Sequence, residues 1–196
     1  RMIGDRPLRV VLTVDPVLPV PPKGYGGTQR IAAALARGLV ARGHEVTVLA
    51  GPGSATDGAR DVAIRYRYPA PAPLRIWWYL RFRWLVRRAT RRADVVVSFW
   101  REDFLRGAVA PGVPVVLTHH DPIRVPILPF FGHRTLRVSV SDDQRAHLDP
   151  EGWRTVPNGV DVAFLTPDPG RRGGHVAFLG RLSPEKGAGA AVRVAL

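Results

Sequence analysis

Two short stretches of this chain combine side chains and backbone suited to chemistry. The first is Lys23-Gly24-Tyr25-Gly26-Gly27-Thr28. Glycines at the end of a strand-to-helix loop let a ligand approach the backbone, and the helix start that follows offers N–H groups to an anion. The spacing is not the G-x-G-x-x-G of dinucleotide sites, which argues against nicotinamide or flavin. A tight turn that simply needs glycine is the alternative. The loop, 15–27, exceeds the usual ~2–6 residues of a strand-to-helix turn, which favours a functional one. The second stretch is Thr118-His119-His120-Asp121-Pro122. Its residue types could ligate a metal, but three adjacent residues rarely converge on one ion, so no metal is expected. A histidine that holds a substrate hydroxyl or stabilises a developing charge suits the place better. Loop histidines satisfied by solvent and backbone are the alternative.

The elements that must position these stretches follow from apolar patterning. The β-branched run 8–14 reads as a buried parallel strand, with further strands at 45–50, 61–68 (an edge strand), 94–99, 113–118 and 136–140. Helical spacing covers 28–42, with Ile31, Leu35 and Leu39 on one face and Gly43 as C-cap. Helices are also predicted at 74–92, 102–110 and 141–148, the last opened by a Ser141/Gln144 capping box. Strands alternating with helices imply an α/β, doubly wound, Rossmann-like parallel sheet, whose ligands lie outside the carboxyl ends of the strands. Residues 1–156 then form one domain and the Pro/Gly/Asp-rich 157–173 a linker. Residues 174–196 open a second unit with a strand at 175–179 and a helix capped by Ser183 and Pro184. That piece is too small to bury a core of its own.

Composition excludes several classes. The 196 residues contain no cysteine, so disulfides, thiolate metal sites and cysteine nucleophiles are out. No apolar stretch reaches the ~18 residues of a membrane span, and Asp5 and Pro7 interrupt any signal-peptide layout, so a cytoplasmic location is the expectation. The net charge is +13, carried by 27 arginines and two lysines, Lys23 and Lys186. Seven of the arginines lie in the 74–92 helix, which has no acid. The charge is thus local, and no nucleic-acid motif accompanies it, which argues against nucleic acid as a partner. On that helix Trp78, Phe82, Leu85 and Ala89 form a stripe toward the sheet. Trp77, Leu80 and Trp84 form an opposite one among Arg81, Arg83, Arg87, Arg88 and Arg91. Tryptophan beside arginine on an outward face suits an anionic membrane surface or an acidic partner; the first is the expectation taken, with the chain peripheral at the inner face of the membrane. Packing under a neighbouring loop or subunit is the alternative.

Four motifs occur in one order: Gly26-Gly27-Thr28, Ala41-Arg42-Gly43-His44-Glu45-Val46, Pro157-Asn158-Gly159-Val160-Asp161 and Gly180-Arg181-Leu182-Ser183-Pro184-Glu185-Lys186-Gly187. Together they resemble the retaining family-4 glycosyltransferases of the GT-B fold. The string Pro21-Pro22-Lys23-Gly24-Tyr25-Gly26-Gly27-Thr28-Gln29 resembles a bacterial subgroup that includes antibiotic-pathway enzymes. The resemblance implies transfer of a hexosyl-type sugar from a nucleotide-sugar donor to a small-molecule or lipid-linked acceptor, with no cofactor or metal. It implies that Gly26 and Gly27 approach the donor diphosphate or acceptor. It implies that His120 contacts the transferred sugar, and that Arg181 and Lys186 neutralise the departing diphosphate. Lys23, Tyr25, Thr28, His119 and Asp121 are the candidate acceptor-loop residues.

The family pattern then breaks off. Its members run much longer, and their second domain supplies the nucleobase pocket and a Glu-x7-Glu motif, whereas no acidic side chain follows Lys186. The expectation is the N-terminal part of a GT-B enzyme, inactive alone: a fragment, a truncated gene product, or one half completed by a C-terminal partner or an oligomer. The alternative is a non-catalytic interaction domain of the same ancestry.

Overall fold

The computed structural model describes residues 6–65, 71–100, 102–120, 134–146, 153–162, 165–166, 170, 173–174 and 176–196. The β-branched runs form β1 (Arg9–Thr13), β2 (Glu45–Ala50), β3 (Arg60–Ala63), β4 (Val95–Ser98), β5 (Val115–His119), β6 (Thr135–Ser139) and β7 (Trp153–Thr155). All pair in parallel, in the order β3-β2-β1-β4-β5-β6-β7. Strand order reverses between β1 and β4, which makes the crevice at their carboxyl ends the place where such sheets bind ligands.

Helices pack on both faces, as a doubly wound sheet requires. One core joins α1 (Gly27–Ala41) to Val10, Leu12, Val46 and Val48. The other joins α2 (Ala72–Thr90) and α3 (Glu102–Leu105) to Val11, Leu49, Val96, Val115 and Leu117. Burying such aliphatic side chains contributes roughly 1.5–3 kcal/mol each relative to exposure. At the amino-terminal edge, Asp94 ties two strands together. It accepts the Arg9 backbone N–H at 2.8 Å and pairs with the Arg9 and Arg6 guanidiniums. Those bonds, the backbone one foremost, hold its carboxyl well below the usual carboxylate range.

Several expectations change. The face of α1 that meets the sheet is Ala32, Ala33 and Ala36, with Ile31, Leu35 and Leu39 only partly buried beside it. Small side chains let the helix approach the strands closely, so size and not hydrophobicity selects the inner face. On α2, Phe82, Leu85 and Ala89 of the expected inner stripe face the core, Trp78 is half-buried outside that cluster, and Trp77, Leu80 and Trp84 are exposed. Arg83 and Arg87 turn instead toward the loop after α3. Arg83 donates to the Arg106 and Gly107 carbonyls and Arg87 to that of Val109. The strand expected at 61–68 is β3, of which 66–68 lie outside the described residues. The helix expected at 102–110 stops at Leu105.

The helix expected at 141–148 is a 3-10 turn at Asp143–Arg145, with 147–148 outside the described residues. β7 was not anticipated, because Trp-Arg-Thr is too short to show alternation.

The chain divides after Asp161 into two units. The second has no strand at 176–179, while His175 lies outside the described residues. Its helix is interrupted: a 3-10 turn at Pro184–Lys186 passes through Gly187, at φ 72°, into α4 (Ala188–Ala195). Ser183 makes no cap; its hydroxyl donates to the Glu185 carboxylate at 2.7 Å. Among its described residues none is buried, in keeping with a unit too small for its own core.

Candidate active site

The wall of the site at β1 is fixed from below. The Thr13 hydroxyl donates to Ser98 Oγ at 2.9 Å, stitching β1 to β4 at the switch point, and both residues are buried. The following loop is tied to the loop after β2. Val20 is fully buried, its N–H donates to Ser54 Oγ at 2.9 Å, and its carbonyl accepts the Ala55 N–H at 3.0 Å. Gly51 lies so close beneath that an added Cβ would sit 2.5 Å from the Leu18 carbonyl oxygen and 2.6 Å from that of Pro16. Length in this loop therefore does not mean looseness.

The two glycines that open α1 have different surroundings. Gly26 is buried with φ 150°, and a Cβ there would meet Pro22 at 2.9 Å and Gln29 Oε1 at 3.0 Å. Internal packing alone requires it. Gly27 is exposed, and a Cβ would meet nothing within 4 Å. The first turn of α1 has no side-chain cap and no acid, so its N–H groups face outward without an intrahelical acceptor. Arg30 donates to the Gly24 carbonyl at 2.8 Å and closes the loop. Lys23 and Tyr25 are exposed and Thr28 half-buried.

His119 ends β5 and His120 follows it, and their side chains diverge, as successive ones in extended backbone do. The His120 ring stacks on Phe99, 5.6 Å between centroids and 29° between planes, on the α1 side of the sheet. The His119 ring lies against Trp153 at 5.1 Å. Divergent imidazoles do not make a joint ligand set for one ion. Asp121, the third residue of that motif, lies outside the described residues. Beside Phe99 a cavity of about 970 Å3 runs along the sheet face between α1 and residues 156–161.

A polar cluster at the ends of β6 and β7 escaped the reading of the sequence. The Thr155 hydroxyl donates to Asp142 Oδ1 at 2.6 Å, and its Oγ1 lies 3.1 Å from the Ser139 hydroxyl. Arg145 bonds both, with Nε 2.8 Å from Thr155 Oγ1 and Nη2 2.9 Å from Asp142. The Thr155 hydroxyl first, and Arg145 after it, hold the Asp142 carboxyl below the usual range. The Ser141/Gln144 spacing was the available signal. The Gln144 N–H does donate to Ser141 Oγ at 3.1 Å, but its side chain does not complete a capping box. It bridges strands, accepting the Val140 N–H at 2.8 Å and donating to the His119 carbonyl at 3.0 Å.

In the second unit, Arg181 and Lys186 flank one turn. Arg181 pairs with Glu185 at 3.1 Å. The Ser183 hydroxyl, before the charges of Arg181 and Lys186, keeps the Glu185 carboxyl below its usual range. A cavity of about 430 Å3 opens beside the turn, bordered by Ser183, Gly187, Gly189 and Arg193.

The sequence profile of Glycosyltransferase Family 4 matches residues 25–164. The chain belongs to that family. Among solved structures, AviGT4, a glycosyltransferase involved in avilamycin A biosynthesis, is 31% identical over 80% of this chain, with a TM-score of 0.55. A glycosyltransferase from Rickettsia africae aligns over 96% of the chain at 13% identity and a TM-score of 0.59. WaaG, a glycosyltransferase involved in lipopolysaccharide biosynthesis, aligns over 79% at 18% identity and a TM-score of 0.50. These last two show the fold alone. The chain spans 44% of AviGT4 and 50% of the Rickettsia africae protein, about half the length of each. A search of curated proteins finds no match.

The family-4 sheet of this chain thus brings the α1 start, Phe99 and His120 to one edge. Arg181 and Lys186 belong to the other unit. No described helix is long and apolar enough to cross a membrane.

Proposed function

We propose that this chain is the acceptor-side half of a retaining glycosyltransferase, together with the first phosphate-binding turn of its donor half. The reaction moves a sugar from a nucleotide-sugar to a small-molecule or lipid-linked acceptor without a metal. The observation that carries the reading is His120, held against Phe99 at the switch-point edge that also carries the uncapped first turn of α1. A glycosyl transition state is oxocarbenium-like and its leaving group anionic. It needs a polar group at the sugar and cations at the diphosphate. His120 is the first, and Arg181 and Lys186 are the second. In this reading 1–156 is the acceptor domain, 157–173 the linker and 174–196 the opening of the donor domain. The 31% identity with AviGT4, a glycosyltransferase involved in avilamycin A biosynthesis, supports the small-molecule alternative for the acceptor.

The test is transfer from a panel of radiolabelled nucleotide-sugars. The 196-residue chain alone should give no product, and a protein joining it to a complete donor-binding half should give one with retained anomeric configuration by NMR. Transfer by the chain alone would overturn the division of labour, and an inverted product would overturn retention.

One further surface supports attachment to the inner face of the membrane. On α2, Ile76, Trp77, Leu80 and Trp84 are each more than half exposed. Arg81 and Arg88 lie over the Trp77 and Trp84 rings at 5.8 and 5.6 Å. Rings and guanidiniums in that arrangement fit the headgroup layer of an anionic bilayer. The chain should pellet with phosphatidylglycerol vesicles at low salt, and a Trp77→Ala/Trp84→Ala variant should stay in the supernatant. Equal pelleting of the two proteins would remove α2 from the interaction.

A further inference from the structure

At the amino-terminal edge of the sheet, opposite the candidate active site, a cavity of about 840 Å3 lies between the carboxyl-terminal half of α2 and strands β1, β2 and β3. Its floor is apolar, with Val11, Val62 and Leu85, and Trp84 stands at one side. Five arginines line it, Arg9, Arg60, Arg88, Arg91 and Arg92, against one acid, Glu45. Asp94 engages Arg9 and fixes its direction, and Trp84 underlies Arg88. Among the described residues, Arg60, Arg91 and Arg92 form no ion pair, so a surplus of positive charge surrounds the space.

Part of this clustering has a local reason, since cations at a helix carboxyl terminus complement its dipole. That accounts for Arg88 and Arg91. It does not account for Arg9 and Arg60, which enter from the first residues of two strands. Guanidiniums converging on one cleft from three elements repel one another, and the arrangement is relieved by an anion between them. Their planar forks match the oxygens of a phosphate group, and a concave wall of one sign focuses the field on it. The apolar floor and Trp84 suit the organic part of the same ligand.

We propose that this cavity binds a phosphate-bearing anion with an apolar moiety, at a site separate from the transfer site. The site stands whether or not the transfer reaction proposed above is correct. An anionic lipid headgroup and a soluble phosphoester share the required chemistry.

The experiment uses the whole chain and two probes. One is inorganic pyrophosphate, followed by calorimetry; the other is phosphatidylcholine vesicles with and without phosphatidylglycerol, followed by pelleting. The variant is Arg60→Gln/Arg92→Gln, with Arg37→Gln/Arg134→Gln as a control that removes equal charge elsewhere and Lys186→Ala to remove the donor turn. In a Lys186→Ala background, which takes out the donor turn, the Arg60/Arg92 variant should lose affinity at least ten-fold for one or both probes, while the Arg37/Arg134 control retains it. Loss for pyrophosphate identifies a soluble phosphoester site. Loss for anionic vesicles alone identifies a headgroup site. Unchanged binding, or equal loss in the two double variants, would overturn the proposal. These side chains are exposed, so thermal melts should coincide with the parent; if the double variant unfolds, Arg92→Gln alone carries the test.

Discussion

Replacing His120 by alanine, in a protein that joins this domain to a complete donor-binding half, should lower kcat by about 10²- to 10³-fold, the usual effect of losing one preorganised polar group at a reacting centre. Nucleotide affinity should stay near the parent value, because the unit carrying His120 is not the one proposed to hold the nucleobase. The physical case is local. His120 follows β5 directly, and its ring is held on Phe99, itself only 9% exposed and anchored by its N–H to the Thr13 carbonyl at 2.8 Å. The imidazole is therefore fixed before any ligand arrives, and preorganisation is what makes such a group effective. Lys186→Ala makes the contrast. It removes a cation from the other unit and should weaken nucleotide binding and turnover together. Steady-state kinetics beside a nucleotide titration separate the two. A His120→Ala enzyme with parental kcat would remove His120 from the chemistry. One with a lowered melting temperature and weakened nucleotide binding would mark it as structural.

Gly51→Ala should destabilise the chain by about 2–3 kcal/mol, the upper range for forcing atoms into a packed site. The new Cβ would sit 2.5 Å from the Leu18 oxygen and 2.6 Å from the Pro16 oxygen, and both are backbone atoms that cannot rotate away. Relief requires moving the 16–20 segment off the loop after β2. That would break the bonds of Val20 to Ser54 and Ala55 and expose a side chain now fully buried. For a chain of this size the melting temperature should fall by roughly 4–12 °C. Gly27→Ala is the matched control. Its Cβ meets open space, so its melt should equal the parent's or rise slightly. A Gly51→Ala melt equal to that of Gly27→Ala would show that the loop after β1 is not pinned as described.

Much of the frame is legible in local pattern. β2 ends where its apolar run ends, at Glu45 and Ala50, because a β-branched stretch between a glycine-capped helix and a glycine turn has few other conformations open to it. The two stripes of α2 are legible for a similar reason. Five arginines and five large aromatics along its 19 residues leave few ways to rotate the helix, and Phe82 inward with Trp77 and Trp84 outward is the one found. The family motifs are legible as strings, and the match over 25–164 bears out the family they pointed to.

What the strings could not carry is which partner each residue meets. Gly26 and Gly27 are adjacent and alike in sequence, yet one packs against Pro22 and the other faces open space. His119 and His120 are equally alike, yet the pleat of β5 sends one to Trp153 and the other to Phe99. Gln144 matches a capping motif and instead ties the ends of β5 and β6 together. The sequence by itself determined the alternation of strands and helices, the family, the basic outward face of α2 and the two stretches where chemistry is expected, because all of these are properties of neighbours along the chain. Tertiary structure alone decided the alanine face of α1, the seventh strand, the pinning of the β1 loop through Gly51, the divergence of the histidines and the arginine-lined cavity. Each of these joins residues distant in the chain or sets adjacent ones on opposite faces, and sheet order and side-chain volume act only once the strands have assembled.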